Sequence, residues 1–194
     1  MKIRKIVVLA SLAVAAAVFA VTAGASASVW LHEGEPLEEH VEIGLSGGQV
    51  FEVPGSGVLL CPVHATLTTE GGSTGQITEW EVASEGCLAS GQFAGCEATA
   101  SEAQGLPWAV DVDSASLTIT GSDISRGFAP GCALESVEFT TPEIAVTSET
   151  PGEISEVEFI GEGTADLEPG GEVAYRTFGS FTVDGAAAGT YGIG

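Results

Sequence analysis

Residues 108–120 read Trp108-Ala109-Val110-Asp111-Val112-Asp113-Ser114-Ala115-Ser116-Leu117-Thr118-Ile119-Thr120. Trp108, Val110 and Val112 alternate with Ala109, Asp111 and Asp113, and Leu117 and Ile119 alternate with Thr118 and Thr120. Successive side chains of a strand point to opposite faces, so this period of two predicts strands with one face in a core and the other in water. The same alternation runs through Glu79-Trp80-Glu81-Val82, Val137-Glu138-Phe139 and Glu156-Val157-Glu158-Phe159. Turn residues divide these runs: Pro54-Gly55-Ser56-Gly57, Gly71-Gly72-Ser73, Pro130-Gly131, Pro151-Gly152 and Pro169-Gly170-Gly171. No period of 3.6 follows residue 27, although Glu33 to His40 allows one helical turn. The expectation is an all-β, antiparallel fold. Two stacked sheets, a β-sandwich, come first, because two disulfides and a mixed core suit that arrangement; a β-barrel is the alternative.

Outward from this region, the chain begins with Lys2, Arg4 and Lys5, then an apolar run from Ile6 to Ala25 and the small-residue site Ala25-Ser26-Ala27. That order reads as a signal peptide over residues 1–27, cleaved before Ser28, and predicts a secreted protein. Residues 28–184 then form one domain, and residues 185–194 a Gly/Ala-rich tail that is either frayed or annealed to a strand edge. Beyond the leader, Arg126 and Arg176 are the only cations against 27 acids, a formal charge of −25 with no lysine. Two arginines cannot neutralise a phosphate track, so nucleic acid is excluded as a partner. The same charge disfavours anionic membrane surfaces, and no stable membrane insertion is expected after leader cleavage. Glu supplies 22 of the acids, Asn is absent and no D-x-D-x-D-G loop occurs, so a calcium loop is not expected.

Cys61, Cys87, Cys96 and Cys132 make an even set in an exported chain, which reads as two disulfides with three possible connectivities. The preferred pairing is Cys87–Cys96, closing the Leu88 to Gly95 loop, with Cys61–Cys132 stapling distant strands. Cys-x-x-Cys is absent, so zinc is not expected.

Gly44-Leu45-Ser46-Gly47-Gly48 and Gly71-Gly72-Ser73-Thr74-Gly75 both match G-x-S-x-G. A nucleophile elbow needs an acid and then a histidine downstream in an α/β setting. No histidine follows Ser73, and only His64 follows Ser46. Both matches are therefore read as turn glycines. His32 and His40 lie among Glu33, Glu35, Glu38 and Glu39 but match no zinc signature, and His64 is expected at the surface. No catalytic residue, metal or cofactor is expected.

The order Leu60-Cys61-Pro62-Val63-His64-Ala65, then the Cys87/Cys96 region, then Gly105-Leu106-Pro107-Trp108, Leu117-Thr118-Ile119-Thr120-Gly121 and Cys132 resembles the secreted bacterial proteins called protein activator of alkane oxidation. The resemblance covers roughly 80 residues. It implies a non-enzymatic, extracellular, β-rich protein that helps cells use hydrophobic substrates or builds surface matrix. On physical grounds Gly105, Leu106, Pro107 and Trp108 form a structural motif: Gly ends a loop, Pro starts an edge strand and Trp fills the core. The function expected is that of a structural or interaction protein of the cell surface or matrix. Its partner would be a hydrophobic ligand or matrix component, or another copy of the chain through a strand edge. The runner-up is a small β-domain binding a lipid-like molecule or a cation, and the third reading is an acid-based hydrolase.

Overall fold

A computed structural model describes residues 28–37, 40–113, 116–148, 156–184 and 191–193. The expected leader, the Pro151-Gly152 turn and most of the Gly/Ala tail lie outside these residues. The strands, in chain order, are β1 (Trp30–His32), β2 (Glu35–Pro36), β3 (Glu42–Val53), β4 (Gly57–Thr69), β5 (Thr74–Val82), β6 (Leu88–Ala89), β7 (Ala98–Gln104), β8 (Trp108–Asp113), β9 (Ser116–Phe128), β10 (Ser136–Ser148), β11 (Glu156–Glu168), β12 (Gly171–Val183) and β13 (Tyr191–Ile193). A single 3₁₀ turn spans Gly91–Phe93.

The ladder runs β10-β11-β12-β3-β4-β5-β8-β9, and β9 pairs with β10 to close it into an antiparallel barrel of eight strands. Of the two expected arrangements, the barrel is the one formed. The reason is local. A sandwich needs sheet breaks, whereas here strands of 12 and 13 residues pair on both sides and bend at defined points. Gly47 on β3 and Gly163 on β11 are inward positions where a Cβ would lie 1.9 Å from the carbonyl oxygens of Ser180 and Thr140 respectively, so only glycine admits the bend. Bulges between Thr140 and Glu143 and between Thr66 and Leu67 add curvature. Gly44 to Gly48 is therefore strand, not the turn expected; Gly71-Gly72-Ser73 is a turn as read.

Inward residues of every strand fill the barrel, as the width of an eight-stranded closure allows. Trp80 packs against Trp108 and edge-on to Phe181, and Phe51 stacks on Phe139 at 4.4 Å. A polar belt crosses this core: Trp80 Nε1 donates to Gln49 Oε1, Gln49 Nε2 donates to Thr177 Oγ1, and Thr177 Oγ1 donates to the Val50 carbonyl. Tyr175 hydroxyl bonds Thr141 Oγ1. An interior void lined by Leu45, Trp80, Val110 and Phe181 among other apolar groups measures about 30 Å³.

One mouth is covered by the small sheet β13-β1-β2. Trp30 is buried there, donating from its backbone N to Gly72 O and from Nε1 to Thr74 O. Tyr191–Ile193 pairs antiparallel with β1, so this part of the tail is annealed to a strand, the second of its two expected states. Glu33 and Gly34 form the turn of a β-hairpin, not a helical turn.

The other mouth holds the disulfides, and both pairings differ from those expected. They are Cys61–Cys87 and Cys96–Cys132. Leu88–Ala89 is not a free loop; it pairs as β6 with Leu59 and Leu60, which sets Cys87 beside Cys61 with Cα atoms 4.3 Å apart. Phe93 then buries itself against Phe128 at the end of β9, which carries Cys96 to Cys132 in the β9–β10 loop.

Candidate functional site

The barrel is apolar inside and largely polar outside, the reverse of what a barrel facing lipid requires. Among the described residues no helix is long and apolar enough to cross a membrane, and no group of histidine, cysteine and acidic side chains could hold a metal ion. With the interior filled, chemistry on offer lies on the outer wall.

Two features stand there. The first is a polar pair. Ser46 on β3 and His64 on β4 are directly opposite in register, and Ser46 Oγ lies 2.9 Å from His64 Nδ1 in a hydrogen bond. Glu81 on β5 is opposite His64. His64 and Glu81, with Glu79, Leu106 and Asp184, border an open groove of about 420 Å³. A serine nucleophile needs a base, a group orienting that base, and donors turned toward a developing oxyanion. Gly47 and Gly48, which follow Ser46, are extended members of the ladders to β4 and β12. Their N–H groups are held in the sheet, so the arrangement supplies a surface hydrogen bond without the oxyanion donors. The sequence offers no sign of the pair, since no Asp lies between Ser46 and His64 and the strands are not in an α/β setting; cross-strand register is what brings Ser46 to His64.

The second feature is a row of apolar side chains that the inward/outward alternation leaves on the outside. Leu88 on β6 is opposite Leu60 on β4, Leu60 is opposite Val50 on β3, Val50 is opposite Phe178 on β12, and Phe178 is opposite Ile160 on β11. Ile160 is in turn opposite Ala145 on β10. Leu88 is 69% and Ile160 55% exposed. Val50, Leu60, Phe178 and Ile160 border an open groove of about 670 Å³, where Gly48 leaves the outer wall without a side chain. The next row toward the disulfide mouth is Val58, Glu52, Arg176, Glu162 and Glu143, again in register. The row on the other side includes Glu158 between Ser180 and Thr147. Arg176 is held by Glu52 at 2.7 Å and lies 5.7 Å from the Phe178 ring centroid. A legible signal for this row exists in the sequence: Val50-Phe51, Leu59-Leu60 and Phe159-Ile160 are consecutive apolar pairs inside alternating strands, and one member of each must face out.

The residues singled out from the sequence are not gathered into one site. Gly105 has φ +69°, Leu106 is half-buried beside the His64 groove, Pro107 precedes β8, and Trp108 is buried with Nε1 donating to the Gln104 carbonyl at 2.7 Å. Trp108 fills the core, whereas β8, expected as an edge strand, pairs on both sides. Asp111 and Asp113 share the outward face of β8. His32 is half-buried and stacks on Tyr191 at 4.9 Å in the small sheet. Glu38 and Glu39 lie outside the described residues.

The chain matches no protein-family model, no curated protein and no solved structure.

Proposed function

We propose that this is a secreted, non-catalytic structural or interaction protein that works at the cell surface or in the extracellular matrix. The observation that carries the reading is the distribution of apolar surface: the interior is packed with buried apolar side chains around a void of about 30 Å³, while an aligned apolar row remains on the outer wall. A lipid-like guest inside the barrel has no room, and a monomeric soluble domain ordinarily keeps such a row covered unless something docks there. The leader-like first 27 residues, the two disulfides and the absence of lysine thereafter support export. The likeness of the Cys61 to Cys132 region to the protein activator of alkane oxidation family belongs to the same proposal, with use of hydrophobic substrates as the process served.

The experiment is fractionation of the native host with N-terminal sequencing. The expected result is a chain beginning at Ser28, outside the cell and held in surface material. A full-length chain confined to the cytoplasm overturns the reading.

A further inference from the structure

We infer that the outer row Leu88-Leu60-Val50-Phe178-Ile160 is the docking surface for a basic amphipathic segment of another protein. The inference rests on the reading of the chain as an interaction protein and names the chemistry of its partner.

Three properties of the row select that occupant. Its apolar members are aligned across five neighbouring strands, not scattered, so they present one continuous strip roughly 19 Å long at about 4.8 Å per strand. That length matches about 13 residues of helix, long enough to place apolar side chains at three or four successive turns. The strip is recessed beside Gly48, whose outward position carries no side chain, which gives an incoming side chain somewhere to sit.

Both flanks carry acid, more on the side toward the disulfide mouth. Glu52, Glu143 and Glu162 border one side and Glu158 the other. Arg176 is the only cation beside the strip, and Glu52 already pairs with it. An apolar strip flanked by Glu143 and Glu162 on one side and Glu158 on the other is the complement of a segment whose apolar face is edged by lysine and arginine.

Charge also argues against a second copy as the occupant. After the leader the chain has Arg126 and Arg176 alone: Arg126 is buried and Arg176 is paired to Glu52. A second copy would bring the same acidic rows and no free cation to meet them. The cations must come from a different molecule.

The test uses the purified mature protein, residues 28–194, at physiological ionic strength. The probe is a synthetic peptide of about 18 residues with leucine at helical spacing and lysine elsewhere. A peptide of the same composition with its leucines scrambled is the comparison. The expected result is one-to-one, micromolar binding of the amphipathic peptide, at least tenfold weaker for the scrambled one. Ile160→Ser and Phe178→Ser should each weaken binding at least tenfold; Ile160 is exposed, so Ile160→Ser keeps the fold and its melting temperature.

Three results overturn the inference. One is no binding of the amphipathic peptide. Another is binding that neither substitution changes, which is attraction to net charge alone. The third is a wild-type dimer that Ile160→Ser dissociates, which makes a second copy the occupant. If the peptide fails to bind while the protein is still found in surface material, the partner chemistry falls and the proposed function stands. If the peptide binds but the protein is never exported, the reverse holds.

Discussion

Arg126 reaches from β9 to Ala83, donating from Nη2 to the Ala83 carbonyl at 2.8 Å, at the point where the barrel wall has no ladder. The lower half of β9 pairs with β8, its upper half with β7, while β4 changes partner from β5 to β6. No ladder joins β6 to β7 among the described residues. Arg126, 2% exposed, fills that seam, with Nη2 also 3.1 Å from the Cys87 sulfur. Its Nε and Nη1 have no protein partner, as is also true of Ser101 Oγ on the strand opposite. Burial lowers the guanidinium pKa to about 10.

The charge at Arg126 is therefore a cost that its volume and its one carbonyl bond offset. Arg126→Ala should destabilise the fold by about 2–4 kcal/mol, through a cavity and an orphaned Ala83 carbonyl. Arg126→Met, which fills the seam and removes the buried charge, should change stability by only about 1 kcal/mol. Urea unfolding of the two variants checks this; equal losses would mean that the charge, not the filling, holds the seam.

The pairing Cys61–Cys87 and Cys96–Cys132 should appear directly in peptide maps of the unreduced protein. The bridges span 26 and 36 residues. Loop closure over those lengths predicts a loss of about 3–4 kcal/mol for Cys61→Ala/Cys87→Ala or Cys96→Ala/Cys132→Ala, read by chemical denaturation. Linked peptides joining Cys87 to Cys96 would contradict the structure.

Tyr175 should ionise late. Burial raises its pKa to about 12, with Asp123 adding to the rise and the bond from Thr141 opposing it. A raised folded pKa means that the native state keeps a proton the unfolded chain releases. This contribution to stability is complete below about pH 10, the ordinary tyrosine value, and is lost as pH rises through 12. Phenolate absorbance during an alkaline titration, compared with Tyr175→Phe, should assign the late step to this residue.

The alternation in residues 108–120 carried the strand assignment, because a half-buried strand writes its two faces into the sequence at period two. Whether the strands stack or close was less legible. Closure depends on Gly47 and Gly163 at inward positions, where a sequence reads glycine as a turn. The disulfide pairing was hidden for a related reason: Leu88-Ala89 is too short to announce itself as a strand, yet its pairing with Leu59-Leu60 decides which cysteines meet. The candidate surface was partly legible. Leu59-Leu60 and Phe159-Ile160 require an outward apolar residue each, but only register aligns Leu60, Val50, Phe178 and Ile160 in one row. The contact of Ser46 with His64 had no local signal at all.

Acid repulsion should make the fold salt-sensitive. With 27 acids and two arginines after residue 27, moderate sodium chloride should raise the melting temperature by roughly 3–6 °C, equivalent to about 1–2 kcal/mol, through screening over about 8–10 Å. Thermal melts at constant pH across ionic strengths check it; a melting temperature that salt does not move would mean the acids are too dispersed to repel.

In the proposed reading this protein works through the outer row of its barrel. The most direct measurement compares, in the native host, how wild type and the double variant Phe178→Ser/Ile160→Ser divide between cell-surface material and the medium. The account predicts that wild type is held at the surface and that the variant, exported and folded, is released into the medium. Equal retention of both would contradict it.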